Sequence, residues 1–192
     1  MACKITIGVD EVGVGPLAGP VTACALTGPA IRKPIRDSKK LSAKQREEFF
    51  RIFCKDASIK WALASIMPKT IDRINIFQAR RLAMKRAVEK LLRKIAVTPG
   101  NGRGYLVLID GNVLLNTAMN ERAIIKGDEK VAIIGTASII AKISRDRMMA
   151  RYHKKYPEYR FDLHKGYGTK LHYEMLREHG PCPIHRRSFR LG

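Results

Sequence analysis

Cysteine is sparse in this chain, and Cys3, Cys24, Cys54 and Cys182 include no CxxC pair. That spacing excludes a zinc knuckle and a disulfide framework, so the four read as reduced thiols. Acidic residues are also few: 17 Asp and Glu stand against 37 Lys and Arg, for a formal net charge of +20. Long apolar runs, internal repeats and low-complexity tracts are missing, which excludes a membrane-spanning or solenoid protein. An acidic pair arrives by Asp10–Glu11 and leaves no room for the apolar core of a secretory signal, so a cytoplasmic address is expected. The five histidines, at 153, 164, 172, 179 and 185, follow no ligand spacing such as HExxH. Nucleic-acid or surface contacts are expected of them rather than zinc.

What is present suits a globular enzyme or binder. Of the 192 residues, 45% are hydrophobic and 28% charged, enough for one core of ordinary size. The charge calls for a polyanionic partner. A merely basic protein or a ribosome-associated binder would share it, so charge alone does not assign a function.

Along the chain, Ile5–Val9 and Val21–Thr27 read as strands on either side of a Gly/Pro-rich stretch. Ser42 with Gln45 forms a capping box for a helix through Phe53, and Ser58–Met67 reads as a third strand. Residues 68–95 carry apolar positions at helical spacing with Arg and Lys between them. Gly100–Gly104 reads as a connector, Tyr105–Ile109 as a buried strand, and Ala123–Lys126 as a shorter one. A helix is expected over Val131–Tyr156, with Arg145 on its outer face, and another over Thr169–His179. The expected class is α/β, a mixed sheet flanked by helices. Residues 1–155 would form the core, and 156–192 a helical C-terminal section packed on it as one unit.

Asp10, Asp110 and Asp128 each read as following a short apolar strand, and Glu11 accompanies the first. Singly, such acids are turn or cap residues. Together in so basic a chain they point to phosphoryl transfer, which two divalent ions about 3.5–4 Å apart support, and hard ions such as magnesium require oxygen ligands. Neighbours in a regular strand point to opposite faces, so the first strand is expected to end at Asp10, leaving Glu11 free to swing back.

The segments GVDEVGVGPLAGPV (8–21), DSKKL (37–41), INIFQARRLAM (74–84), LIDGN (108–112), IKGD (125–128), TASIIAKISRDR (136–147), HKGYGT (164–169) and PIHRRSF (183–189) resemble, in order and spacing, the prokaryotic ribonuclease HII family. The resemblance covers nearly the whole chain. It implies a ribonuclease H-like fold with a five-stranded sheet, in which Asp10, Glu11, Asp110 and Asp128 are catalytic and hold two Mg2+ or Mn2+ ions. It also implies an endonuclease acting on RNA–DNA hybrids and 5′ of ribonucleotides embedded in duplex DNA. Tyr167 matches the family's junction-sensing tyrosine, and Gly13, Val14 and Gly15 match the loop that reads the 2′-hydroxyl through its backbone. Here the chain departs from the pattern: the family has Gly-Arg-Gly, and Val14 removes a cationic side chain. Valine is also stiff and suits no positive φ.

Lys39, Lys40, Lys126, Arg186 and Arg187 are expected to bind phosphates, with solvated surface charge as the plain alternative for each. Asp146 is a reserve acid, otherwise a helix-surface partner of Lys142, Arg145 or Arg147. A monomer is expected. The rivals are type 3 ribonuclease H, disfavoured because the first strand begins at residue 5; a DNA-directed nuclease of the same superfamily; and a non-catalytic basic RNA-binding protein.

Overall fold

The computed structural model describes residues 5–28, 41–96 and 104–192. Cys3, Lys39, Lys40 and most of the Gly100–Gly104 connector lie outside the described residues. Five strands, β1 (Ile5–Val12), β2 (Val21–Thr27), β3 (Lys60–Ile66), β4 (Tyr105–Asp110) and β5 (Asn120–Ile124), form one sheet in the order β3-β2-β1-β4-β5. The pairs β1/β2 and β2/β3 are antiparallel, whereas β1/β4 and β4/β5 are parallel. A parallel neighbour for β1 requires a long crossover, and the chain between β3 and β4 supplies it as α2 (Pro68–Ile74) and α3 (Ile76–Lys94).

Alternation along β1 divides the core between two layers. Ile7 and Val9 pack on Ala83, Met84, Ala87 and Leu91 of α3. The opposite face, with Cys24 and Leu26 of β2, packs on Ile134, Ala137, Ile140 and Ala141 of α5 (Ala132–Lys155), backed by Phe50 of α1 (Ala43–Lys55). The Ser42 and Gln45 capping box opens α1 as its sequence requires. After α5, a 3-10 turn (Pro157–Tyr159), α6 (Phe161–His164) and α7 (Lys170–His179) follow. A third buried cluster, with Ala18, Met149, Tyr159, Phe161, Cys182 and Ile184, ties this last section to α5 and to the loop after β1.

Four expectations are corrected. The first strand does not end at Asp10: Asp10, Glu11 and Val12 still pair with Cys24, Ala23 and Thr22 of β2. The shorter strand lies at Asn120–Ile124 rather than 123–126, and Lys126 is left-handed (φ 56°) before α4 (Gly127–Lys130). Asp128 therefore stands in the first turn of a short helix. Arg145 is fully buried, because α5 is covered on several sides and its carbonyl-rich neighbours accept the guanidinium. His164, His172 and His185 are buried rather than on the surface. Among the described residues no helix is long and apolar enough to cross a membrane.

Candidate active site

The parallel ladder between β1 and β4 stops at Val9 and Ile109. One residue further stand Asp10 and Asp110, side by side and, by strand alternation, on the same face, toward α5. Glu11 points to the other face, where Nε of Arg80 on α3 meets its carboxylate at 2.6 Å. Asp10 and Glu11 thus obey strand geometry, yet both border one crevice, because β4 ends at Asp110 and leaves the space beyond it open from both sides. Asp128 completes the set from α4. A cavity of about 410 Å³ is lined by Asp10, Glu11, Asp110 and Asp128, with Arg46, Ser138, Lys142 and Tyr167 around them.

Protein donors hold one oxygen of two of these acids. Asp110 Oδ1 accepts the Gly127 N–H at 2.7 Å and the Asp128 N–H at 3.3 Å, and Asp10 Oδ1 accepts the Glu11 N–H at 2.7 Å. Burial, with the charges of Glu11 and Asp110 added, holds the Asp10 carboxyl well above the usual carboxylate range; the Ser138 hydroxyl offsets part of this. Burial, opposed by Arg80 and reinforced by Asp110, brings Glu11 up to about 7. Glu11 Oε2 is buried without a hydrogen-bond donor among the described residues. Among those residues no three carboxylate, imidazole or thiol groups stand as a ready-made cation cluster. Glu11 is turned onto Arg80, which accounts for its share of that arrangement.

Tyr167 sits on the cavity rim, 40% exposed, with Lys142 Nζ 6.0 Å and the Arg145 guanidinium 5.9 Å from its ring. Gly13 adopts φ +87°, and a Cβ there would stand 2.3 Å from Arg145 Nε, so this position demands glycine. Val14 is not among the positive-φ residues; it is half-buried and packs against the α3-side core, so its branched side chain is accommodated. Gly15 is exposed.

The expected phosphate-binding residues fare differently. Arg186 is fully buried and donates to the carbonyls of Gly13 (2.5 Å), Val14 (2.8 Å) and Gly19 (3.0 Å), so it cannot meet a phosphate directly. Burial, with Arg145 nearby, lowers it to about 9. Arg187 and Lys126 are exposed, but neither lines the cavity. Asp146 pairs with Lys142 at 2.8 Å and stays out of the cavity lining. Sequence reasoning missed Arg46, Arg80, Ser138 and Lys142. The spacing of Ser138 and Lys142, one helical turn apart in TASIIAKISRDR, places both on one face of α5 and could have signalled them.

A mixed sheet of this order, with carboxylates collected where its central parallel pair ends, defines a ribonuclease H-like enzyme. The family model for ribonuclease HII matches residues 7–191. Ribonuclease HII of Caldicellulosiruptor bescii is 50% identical over 188 residues, covering 97% of this chain and 86% of the relative. Ribonuclease HII 1 of Methylibium petroleiphilum is 47% identical, covering 97% of this chain and 90% of the relative. The chain belongs to the ribonuclease HII family and is an endoribonuclease. Among solved structures, ribonuclease HII in its complex with PCNA from Archaeoglobus fulgidus superposes with a TM-score of 0.77 at 23% identity, covering 97% of this chain and 95% of that one. Bst-RNase HIII in complex with Mn2+ also gives 0.77, at 18% identity, covering 99% of this chain and 68% of that one. At such identities these two show the fold alone.

Proposed function

We propose that this protein cuts the RNA strand of RNA–DNA hybrids and incises duplex DNA on the 5′ side of embedded ribonucleotides, leaving 5′-phosphate and 3′-hydroxyl ends. The observation that carries this reading is the convergence of Asp10, Glu11, Asp110 and Asp128 on one cavity rimmed by Arg46, Lys142 and Tyr167. These residues suit hard divalent cations: the acids offer only oxygen donors, burial and the neighbouring carboxylates push Asp10 and Glu11 toward neutrality, and Glu11 Oε2 lacks a donor among the described residues. Two bound Mg2+ or Mn2+ ions would supply an activated water and stabilise the leaving 3′ oxygen. The Mn2+ complex of the structurally similar Bst-RNase HIII agrees with that choice.

The remaining roles follow from position. Arg46 and Lys142 attract the scissile-strand phosphates, and Tyr167 presents an exposed ring for stacking against the sugar at the junction. The carbonyls of Gly13 and Val14 face Arg186, so in trans peptides the N–H groups of Val14 and Gly15 face the opposite way and can serve a 2′-hydroxyl or phosphate. The enzyme acts as a monomer of one structural unit, its core spanning residues 1–155 and its helical section 156–192.

The test is cleavage of a DNA duplex containing one ribonucleotide, beside a long RNA–DNA hybrid and an all-DNA control, with Mg2+, Mn2+ or chelator. Metal-dependent incision 5′ of the ribonucleotide, with the DNA control intact, is the expected outcome. Cutting of the DNA control would transfer the reading to a DNA-directed nuclease, and tight binding without cutting would make the protein a binder.

A further inference from the structure

The buried His164, His172 and His185 are not used by that chemistry, and their hydrogen bonds admit one set of tautomers. His172 Nδ1 lies 2.9 Å from the Tyr167 carbonyl, which can only accept, so Nδ1 carries the proton. The ring's bare Nε2 then faces His185 Nε2 at 3.0 Å, and His185 must donate. That leaves His185 Nδ1 to accept the Cys182 N–H at 2.9 Å. A longer approach, 3.3 Å, to the Cys182 carbonyl would need a proton on the same nitrogen and would strip partners from both Cys182 N–H and His172 Nε2. His164 donates from Nε2 to the Tyr159 carbonyl at 2.7 Å and accepts the Gly166 N–H at 3.1 Å. Its ring stacks on His172 with centroids 4.3 Å apart. Burial holds His172 and His185 down to about 4, so this pattern of neutral rings persists at working pH.

The relay runs from Cys182 through His185 and His172 to the backbone of Tyr167. The next residue, Arg186, grips the other loop through the carbonyls of Gly13, Val14 and Gly19, and its own N–H donates to Leu17 at 2.8 Å. The two loops also touch directly, Leu17 N–H donating to the Gly166 carbonyl at 2.8 Å. Asp72 anchors the tail just beyond, accepting the N–H groups of Arg187 (3.0 Å) and Ser188 (2.9 Å).

We infer that His185 and Arg186 form a staple that sets the spacing between the Gly13–Gly15 loop and Tyr167, with His185 acting through His172. All three are positioning residues for recognition of a ribonucleotide–deoxyribonucleotide junction. The inference rests on the functional reading above and deepens it.

Two substitutions at His172 test it in the full-length protein. His172→Asn keeps a donor near the Nδ1 position for the Tyr167 carbonyl but loses His185, whereas His172→Phe keeps a ring and loses both. With the single-ribonucleotide duplex, Phe should raise KM about tenfold while kcat stays within about twofold, and Asn, which holds Tyr167 but not His185, should recover only part of the loss. The long hybrid, which offers no isolated junction, should show a smaller KM change. Wild-type KM in either variant, equal loss of kcat on both substrates, or Asn no better than Phe would overturn the role. Imidazole 15N NMR of the wild-type protein supplies a readout that needs no catalysis. Three neutral rings protonated at His172 Nδ1, His185 Nε2 and His164 Nε2 support the relay, and a proton on His185 Nδ1 refutes it. If the wild type cut no single-ribonucleotide duplex, the functional reading would fall and this role with it, while the tautomer pattern would stand or fall separately.

Discussion

Replacing Arg80 with Met tests how the acid cluster is held without metal. Arg80 is the cation paired with Glu11, 2.6 Å away, and the Glu11 side chain is only 8% exposed. Glu11 has an ordinary value of 4.5 and rises to about 7 in the fold, so metal-free stability falls as the pH climbs from 4.5 through 7 and then levels. Without Arg80 the folded value moves higher, and the decline continues above pH 7 at about 1.4 kcal/mol per pH unit. At about pH 8.5 the variant should be less stable than wild type by roughly 2 kcal/mol, or about 4–8 °C in Tm for a chain of this size. Near pH 7 the difference should almost vanish. Saturating Mn2+ takes over the neutralisation of Glu11, so it should raise the variant's Tm by more than the wild type's. The assay is thermal unfolding followed by circular dichroism at both pH values, with EDTA or Mn2+. A Tm deficit equal at both pH values, or an Mn2+ gain no larger than in wild type, would refute the reasoning.

Other expectations are more direct. Asp10→Asn should abolish cleavage yet leave hybrid affinity within a few-fold in a filter-binding assay, because the role proposed for this buried acid is in the reaction and not in holding the duplex. Val14→Arg should strengthen substrate binding by about 1.5–3 kcal/mol, the worth of a charge-assisted hydrogen bond, and an unchanged KM would show that this position meets no phosphate. With a formal net charge of +20, KM should rise steeply with added salt, and a salt-independent KM would argue against phosphate contacts by the basic rim. His172 and His185 drop from 6.5 to about 4 on folding, so the unfolded chain takes up protons first and stability should fall as pH drops from 6.5 toward 4. Acid titration of the melting temperature should show that limb flattened in His172→Phe, provided both proteins are compared in EDTA.

Much of the framework was legible in local pattern. The capping box of α1, the apolar run of β4 and the amphipathic α3 appear where their sequences place them, because caps, strand alternation and helical spacing depend on near neighbours. Two misplacements share a cause. Strand β1 was expected to stop at Asp10, but antiparallel pairing with β2 carries it to Val12. Strand β5 was expected two to three residues later, but its register is dictated by β4, with Asp110 opposite Ile124. Pairing partners set both boundaries, and those partners are distant in sequence.

By itself the sequence determined the basic charge, the mixed α/β class and the choice of four acids that line one cavity, since composition, periodicity and ordered motifs are properties of the chain before it folds. Which cations serve the site was decided only in three dimensions. Arg145 and Arg186 look like surface arginines in a basic chain, yet both are buried among loop carbonyls. Lys142 and Arg46, equally ordinary in sequence, rim the cavity instead. A guanidinium is stable inside only where backbone acceptors from remote segments meet it, and Arg186 finds Gly13 and Val14 more than 170 positions earlier. The same holds for Asp10 and Glu11: alternation sends them to opposite faces, and only the early end of the neighbouring strand lets both reach one cavity.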